Sequence, residues 1–502
     1  MPTPAYKINI RRGANQPSYY GASNNQLYKA ATQTDERKSI PNLDWDHERN
    51  ISRLGHRQLR NVGKFLYANF PIIKGALNEQ AWLSVAHFIP QFVGEDKDWG
   101  AQAEQWLREW EKIMMVSGWG NDGCSYRTNI VLSTRREGNH FTLQADNGDG
   151  YPLVQEIPSH RIGSVYEETQ VRGGRYDGYH ICNGIIQDDY GRAVAYRVYS
   201  DGYLTGDYED IPADVMFQSF FPEYVGQSIG ISSLGSCACD WQDVLERRKF
   251  ELLAQKIGAS IALVEVNERG QAPPGIGAIT KPSAGSSTAG TATGLITELY
   301  DGGVTRYYKS KSGEELKTLR MDRPSSDSQA FEAAIIRGAF KGMEWDVDFS
   351  LDPSKVGGAP MRVVVDKINR TIDKNQALVE KAMRRVHGWA ISKAIKLGLL
   401  PANDEWYKWE YQGPSRPTSD AKYDDDIDRE RLKMGGLTYR DWYAKRGMWW
   451  EDEVRQRIDE QKFIEDECKT AGVDVNKVQL LTPNGNLQSS QNGQPMQTST
   501  NE

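Results

Sequence analysis

Residues 361–401 read MRVVVDKINRTIDKNQALVEKAMRRVHGWAISKAIKLGLLP, and the spacing of their apolar side chains predicts one long helix. Val365, Ile368, Ile372, Val379, Met383, Val386 and Ala390 recur near three- and four-residue intervals, the period of a single helical face. No proline interrupts Met361–Leu397, Gly388 is its one glycine, and Gly398 with Pro401 supplies the stop. At about 1.5 Å per residue the helix would be roughly 50 Å long, beyond the usual globular length. From Arg362 to Lys396 it carries nine Lys/Arg against three Asp/Glu. Alone, that pattern describes a long packing helix with a solvated basic face.

Upstream, LDPSKVGGAPMR (351–362) reads as a loop leading into the helix, and TLRMDRPSSDSQAFEAAIIRGAFKGM predicts another helix from near Ser328. Before it, ERGQAPPGIGAITKPSAGSSTAGTATG (268–294) is a Gly/Ala/Ser/Pro-rich stretch expected to be a flexible loop. It lies between strand-like IALVEV on one side and LITELY and VTRYYKS on the other. The segment ending LLAQKIGAS predicts a helix capped near Ser232 or Ser233, with Leu234, Trp241, Leu245, Leu252 and Ile257 as its apolar stripe.

Residues 125–220 read as strands: YRTNIVLST, HFTLQAD, YPLVQEIP, YHICNGIIQD, AVAYRVYS and DVMFQSF, separated by Gly, Asp and Asn turns. NGIIQDDYGRAVAYRVYS forms a hairpin with its turn at Asp189-Tyr190-Gly191, and RGGRYDGYH is a Gly-rich turn. Residues 46–94 predict two helices broken at Pro71, the first turning Leu54, Leu59, Val62 and Leu66 inward. DWGAQAEQWLREWEKIMMV continues as a third, with Trp106, Trp110 and Ile113 as core. Beyond the long helix, EWYKWEY is a short strand, Pro414 and Pro417 mark a boundary, and three acidic helical segments follow.

The chain has 502 residues, a net charge of −7 and 38% hydrophobic residues. Mean hydropathy is −0.65 and the pI is near 5.7, so a general nucleic-acid coat with a dominant basic field is excluded. Five cysteines, an odd count without a CxxC pair, fit reduced thiols in a cytosolic setting. No apolar leader and no run of eighteen apolar residues is present, so neither a standard secretion signal nor a membrane span is expected. The phosphate-binding, nucleophile-elbow, zinc-protease and dinucleotide motifs are missing, and no histidine pair has metal-ligand helical spacing. The sequence therefore predicts no catalytic residues, no cofactor and no metal. DDDID (424–428) lacks the Gly and Glu of a calcium loop and reads as a solvated acidic run.

The order of elements resembles the lambda-type family of tailed-bacteriophage portal proteins. The hairpin carries Asp189, Gly191, Arg192, Ala195 and Tyr196 of the family's pattern; the next segment carries Ile211, Pro212, Ala213, Val215, Phe217, Pro222, Gly226, Gln227, Gly230, Ser232 and Leu234. Ala254, Lys256 and Ile257 match in the following helix, and RPSSDSQAFEAAIIRGAFKGMEWDVDFSLDPSKVGGAPMR and KMGGLTYRDWYAKRG are similar to downstream family segments. The chain departs where GGAPMR (357–362) stands in place of the family's Tyr/Ser-bearing segment.

The resemblance implies an α+β portal-type subunit with wing, stem, clip and crown regions and a long channel-side helix. It implies a flexible N-terminal arm (1–44), a wing (45–225), stem helices flanking clip strands (226–345), a channel loop with the long helix and a wing strand (346–414), a helical crown (415–472) and a disordered tail (473–502). It implies a homo-oligomeric ring, expected to be dodecameric, at a unique capsid vertex of the virion, assembled in the host cytoplasm. Its partners would be the terminase large subunit, the major capsid protein, head–tail connector proteins and, transiently, double-stranded DNA in the channel. Lys355, Arg362, Lys367, Arg370 and Lys374 are the candidates for DNA contact. A head–tail adaptor, another minor capsid protein and a carboxylate-dependent hydrolase are the alternatives.

Overall fold

The computed structural model describes residues 51–118, 121–200, 207–260, 297–299, 305–307, 326–351, 358–418 and 421–472. Helices α1 (Arg53–Asn69) and α2 (Pro71–Val85) meet at the expected proline. Ser52 caps α1 by accepting from the Gly55 amide, and Pro71 occupies a first-turn position that needs no amide donor. The inward face of α1 differs from the leucine stripe. Leu66 is buried but Leu54 is 51% exposed, and His56, Arg60 and Gly63 take the buried side. Backbone carbonyls partner the polar side chains: His56 Nε2 lies 2.9 Å from the Gly230 oxygen, and Arg60 Nη1 donates to Ser159 at 2.6 Å.

Ile89–Phe92, expected within the second helix, is instead strand β1, because it pairs antiparallel with Trp409–Gln412 from the far side of the sequence. Helix α3 (Lys97–Glu111), capped by Asp96, buries Trp110 against Trp106, but ends before Ile113, which is 59% exposed instead of core. A larger correction concerns YRTNIVLST, expected as a strand. It lies in helix α4 (Gly123–Glu137), capped by Asp122 and closed by Gly138 at φ +90°. Tyr126, Ile130, Val131 and Thr134 all face inward at helical spacing, so packing overrides the β-branched propensity.

The strands that follow form two antiparallel sheets. One has β2 (His140–Asp146) in the centre, paired with β3 (Pro152–Ile157) on one side and β8 (Met216–Ser219) on the other. The other runs β4 (His180–Cys182), β5 (Ile185–Gln187), β6 (Ala193–Tyr199) and β7 (Tyr208–Pro212). YHICNGIIQD, expected as one strand, folds back on itself. Asn183 (φ 50°) and Gly184 (φ 79°) turn β4 into β5 as a two-residue hairpin turn requires. The expected β5–β6 hairpin forms, its turn closed by Gly191 donating to Asp188.

Helix α5 (Ala238–Ser260) starts later than Ser232 or Ser233, because the Ser232 hydroxyl accepts from Leu234 in a preceding turn. Leu234 and Trp241 are buried but Leu252 is exposed; the Ile257 side chain, IALVEV and the 268–294 loop lie outside the described residues. Strands β9 (Thr297–Leu299) and β10 (Thr305–Tyr307) pair antiparallel. Helix α6 (Ser326–Gly342) then leads to the short helix α7 (Val347–Leu351), where a loop was expected. The long helix α8 spans Gly358–Lys396 and stops at Gly398, φ +74°. Strand β11 (Trp409–Gln412) and helices α9 (Ala421–Lys433), α10 (Tyr439–Ala444) and α11 (Trp450–Ala471) complete the chain.

Two apolar cores share α8. Its first half places Val364, Ile368 and Ile372 among Leu66, Ile73, Trp241, Phe340 and Trp345. Its second half places Val379, Met383, Val386 and Ala390 among Trp99, Leu107, Trp110, Tyr126 and Ile130. Smaller clusters fill the sheets. Among the described residues, those from 426 to 472 form a separate compact unit. The five cysteines form no disulfide, and among the described residues no helix is long and apolar enough to cross a membrane.

Candidate nucleic-acid interface

All seven apolar residues that predicted α8 are buried, which fixes the opposite arc toward the outside. At about 100° per residue, Val363, Lys367, Arg370, Lys374, Ala377 and Lys381 fall on one side of the helix. Each of them is exposed. Lys367, Arg370, Lys374 and Lys381 thus form a basic line of about 21 Å along an α-helix.

The expected DNA-contact residues divide into three groups. Lys355 lies outside the described residues. Arg362, Lys367 and Arg370 are exposed, and none has an ion-pair partner among the described residues. Lys374 is different: its Nζ lies 2.6 Å from Glu344 Oε1 and 5.0 Å from the centre of the Phe221 ring. It is committed to the fold. Lys381, which the sequence reading passed over, is exposed and likewise without an ion-pair partner among the described residues. Its position seven residues after Lys374 puts it on the same arc, and that spacing was the signal available.

Two polar clusters hold α8 in place. In the first, Glu344 sits in the left-handed region at φ 55°, a conformation unfavourable for a residue with a Cβ. Arg135 Nη1 reaches its carboxylate at 2.6 Å, and Thr371 donates to its carbonyl at 2.7 Å. Burial would raise the Glu344 carboxyl, but Arg135 and Lys374 outweigh it and hold it below the usual range. Arg135 also donates to Asn375, whose amide donates in turn to Ser84 at 3.0 Å, tying α4, α8 and α2 together.

The second cluster is centred on Glu111. Arg127 Nη1 lies 2.7 Å from Oε2, and His387 Nε2 lies 3.1 Å from Oε1. Burial opposes the charged carboxylate, yet Arg127 and His387 prevail and hold it down to about 2. His387, fully buried on α8, faces Tyr411 at 3.2 Å and packs edge-on to Trp110.

One arrangement invites a catalytic reading. The Ser133 hydroxyl lies 2.9 Å from His140 Nδ1, and His140 Nε2 lies 3.6 Å from Glu156. The order matches nucleophile, base and orienting acid, but the chemistry does not follow. Burial pushes His140 down to about 3, far from the value a general base needs near neutral pH. Burial pushes Glu156 up to about 7, against the Asn129 hydrogen bond, so it is a poor anion to support an imidazolium. Ser133 also donates to the Asn129 carbonyl within its own helix. Among the described residues no group of three His, Cys, Asp or Glu is placed to hold a metal ion.

The model of the lambda family of phage portal proteins matches residues 39–345. Among solved structures, the chain is similar to the neck of an empty GTA particle computed with C6 symmetry, at 13% identity, 78% of this chain, 93% of that chain and a TM-score of 0.41. It is similar to a chain in the virion of a native gene transfer agent particle, at 12% identity over 78% of this chain and 93% of that one, TM-score 0.41. A third, the neck of a native GTA particle computed with C12 symmetry, gives 14% identity over 79% and 94%, TM-score 0.39. No curated protein matches.

Proposed function

The chain belongs to the lambda family of phage portal proteins, and from that membership we propose that it is the structural subunit of a ring at one vertex of the capsid, through which DNA is packaged and ejected. The ring is dodecameric, docks the terminase large subunit and later the head–tail connector, contacts the major capsid protein, and assembles in the host cytoplasm before becoming part of the virion. Residues 45–225 serve as wing, 226–345 as stem and clip, 346–414 as the channel side, and 415–472 as crown. The flanking 1–44 and 473–502 serve as arm and tail.

The observation that carries the reading is the family match, which runs through the helices and sheets of the first compact unit. Physical features support a ring. The subunit leaves Phe250 and Leu253 of α5, Phe331 of α6 and Trp82 of α2 more than half exposed, apolar area that neighbouring copies would remove from water. A translocation channel must also avoid holding phosphate tightly, because each neutralised phosphate adds binding free energy that movement has to overcome. A chain of net charge −7 with a few cations on one helix that have no ion-pair partner among the described residues suits transient contact. Arg362, Lys367, Arg370 and Lys355 are the proposed DNA-facing residues; Lys374 contributes mainly to the fold. Electron microscopy of the purified protein tests the proposal. Twelve-fold rings with a central hole are expected, and a strictly monomeric species at high concentration would overturn it.

A further inference from the structure

The second compact unit carries two unlike faces on one helix. Trp450, Val454 and Ile458 of α11, with Tyr439 and Tyr443 of α10, line an apolar groove of about 510 Å³. Ile458 is 48% and Tyr439 64% exposed, so the groove opens to solvent. Its rim is basic: Arg457 lies 5.6 Å from the Tyr443 ring centre, and Lys462 lines the groove further along the helix. At about 100° per residue, Gln456, Asp459, Glu460, Phe463, Asp466 and Glu467 fall on the side of α11 opposite Trp450, Val454, Arg457 and Gln461. All six are exposed, and Phe463, at 66%, stands among four carboxylates. No lysine or arginine of α11 shares that arc. Asp459 and Asp466 pair with Lys462 (4.0 Å) and Lys469 (3.5 Å), one turn away on the same helix, in pairs too exposed to hold either partner firmly. Glu467 has no ion-pair partner among the described residues.

These faces complement one another and not themselves. Two grooves brought together would oppose cation to cation, and two acidic backs would oppose carboxylate to carboxylate. Back against groove places Glu460 and Glu467 near Arg457 and Lys462 and gives Phe463 an apolar seat. Phe463 cannot take that seat in its own chain, because it leaves the far side of the helix that forms the wall. A contact between unlike faces is heterologous, and repetition of a heterologous contact closes a ring when the rotation between copies allows it. Carrying the two faces on opposite sides of one helix lets each copy hold a neighbour on either side. An exposed aromatic beside an exposed apolar groove is also surface that association would remove from water.

We propose that the acidic face of α11, anchored by Phe463, docks in the α10–α11 groove of a second copy of this chain. The contact rests on the ring reading above and assigns residues 439–467 a part in holding neighbouring subunits together. Full-length variants are compared by mass photometry over a dilution series, and circular dichroism melting identifies those that retain the fold. Arg457→Glu/Lys462→Glu makes the groove rim acidic, and Glu460→Lys/Glu467→Lys makes the opposite face basic. Each alone should raise the concentration for half-assembly by about tenfold or more. Mixed in equal amounts, the two should assemble as the wild type does, because each supplies the face that the other has lost. Phe463→Ala, at an exposed position, should by itself weaken assembly by about tenfold, as loss of an aromatic anchor does. A mixture that fails to recover, or a folded Phe463→Ala that assembles like the wild type, overturns the contact and leaves the ring reading standing. A wild-type chain that forms no ring overturns the ring reading, and the contact falls with it.

Discussion

The two halves of α8 use the same residue types for opposite ends. In the first half Arg362, Lys367 and Arg370 extend outward without ion-pair partners among the described residues. In the second half Arg384 bridges Glu380 at 2.7 Å, donates to the Trp409 carbonyl and lies over Tyr411. Arg385 donates to the Ala213 carbonyl and lies 4.6 Å from the Phe217 ring centre; Lys393 reaches Asp146 at 3.4 Å. The difference does not come from the helix itself, whose apolar face is continuous through both halves. It comes from what surrounds each cation: the β11 strand and the sheet edges reach Arg384, Arg385 and Lys393, whereas Arg362, Lys367 and Arg370, and Lys381 within the second half, meet no ion-pair partner among the described residues. Positive charge on a helix is thus either a strut or an available contact, and only the neighbours distinguish them.

The largest test of that contrast removes the buried acid behind the second half. Glu111→Ala leaves Arg127 and His387 facing one another in the interior, and a loss of about 3–5 kcal/mol in unfolding free energy is expected from urea denaturation. The same carboxyl sets an acid dependence. Its folded value, about 2, lies below the ordinary 4.5, so its contribution is present above pH 4.5 and is lost as pH falls toward 2. Glu111→Gln should therefore flatten stability against pH across that window; a wild-type acid limb in the variant would show that other carboxylates govern it.

Arg385→Ala should cost about 1–2 kcal/mol, since it removes carbonyl hydrogen bonds and ring packing. Lys374→Gln, at the junction of the halves, should cost no more than about 1 kcal/mol, because both partners of its bridge are more than one-third exposed. If Lys374 behaved like Arg385, the boundary between tied and free cations would move toward the start of the helix. Arg370→Gln should change stability by less than about 0.5 kcal/mol. In assembled rings it should instead lower the slope of log duplex affinity against log salt by about one. An unchanged slope would remove Arg370 from the DNA-facing set.

Where local pattern and packing agreed, the chain could be read directly. The α8 period, its Gly398 stop, the Pro71 junction and the β5–β6 turn all rest on interactions within a few residues. Tyr126–Thr134 could not be read that way: its β-branched residues favour a strand locally, and only the fit of Tyr126 and Ile130 into the core makes the helix. Ile89–Phe92 had its partner more than three hundred residues away. The basic arc of α8 was half legible. Charge and periodicity identified Arg362, Lys367 and Arg370, but the commitment of Lys374 to Glu344 depends on a residue thirty positions upstream.

The sequence by itself determined the long amphipathic helix, its basic excess and the motif order that places the chain in its family, because periodicity and turn chemistry act over short distances. The tertiary structure alone decided which cations are struts, which acids are held charged or neutral, and that α1 buries His56 and Arg60 against backbone carbonyls. Those outcomes depend on burial and on partners brought together from distant parts of the chain, where desolvation fixes the cost of every unpaired charge.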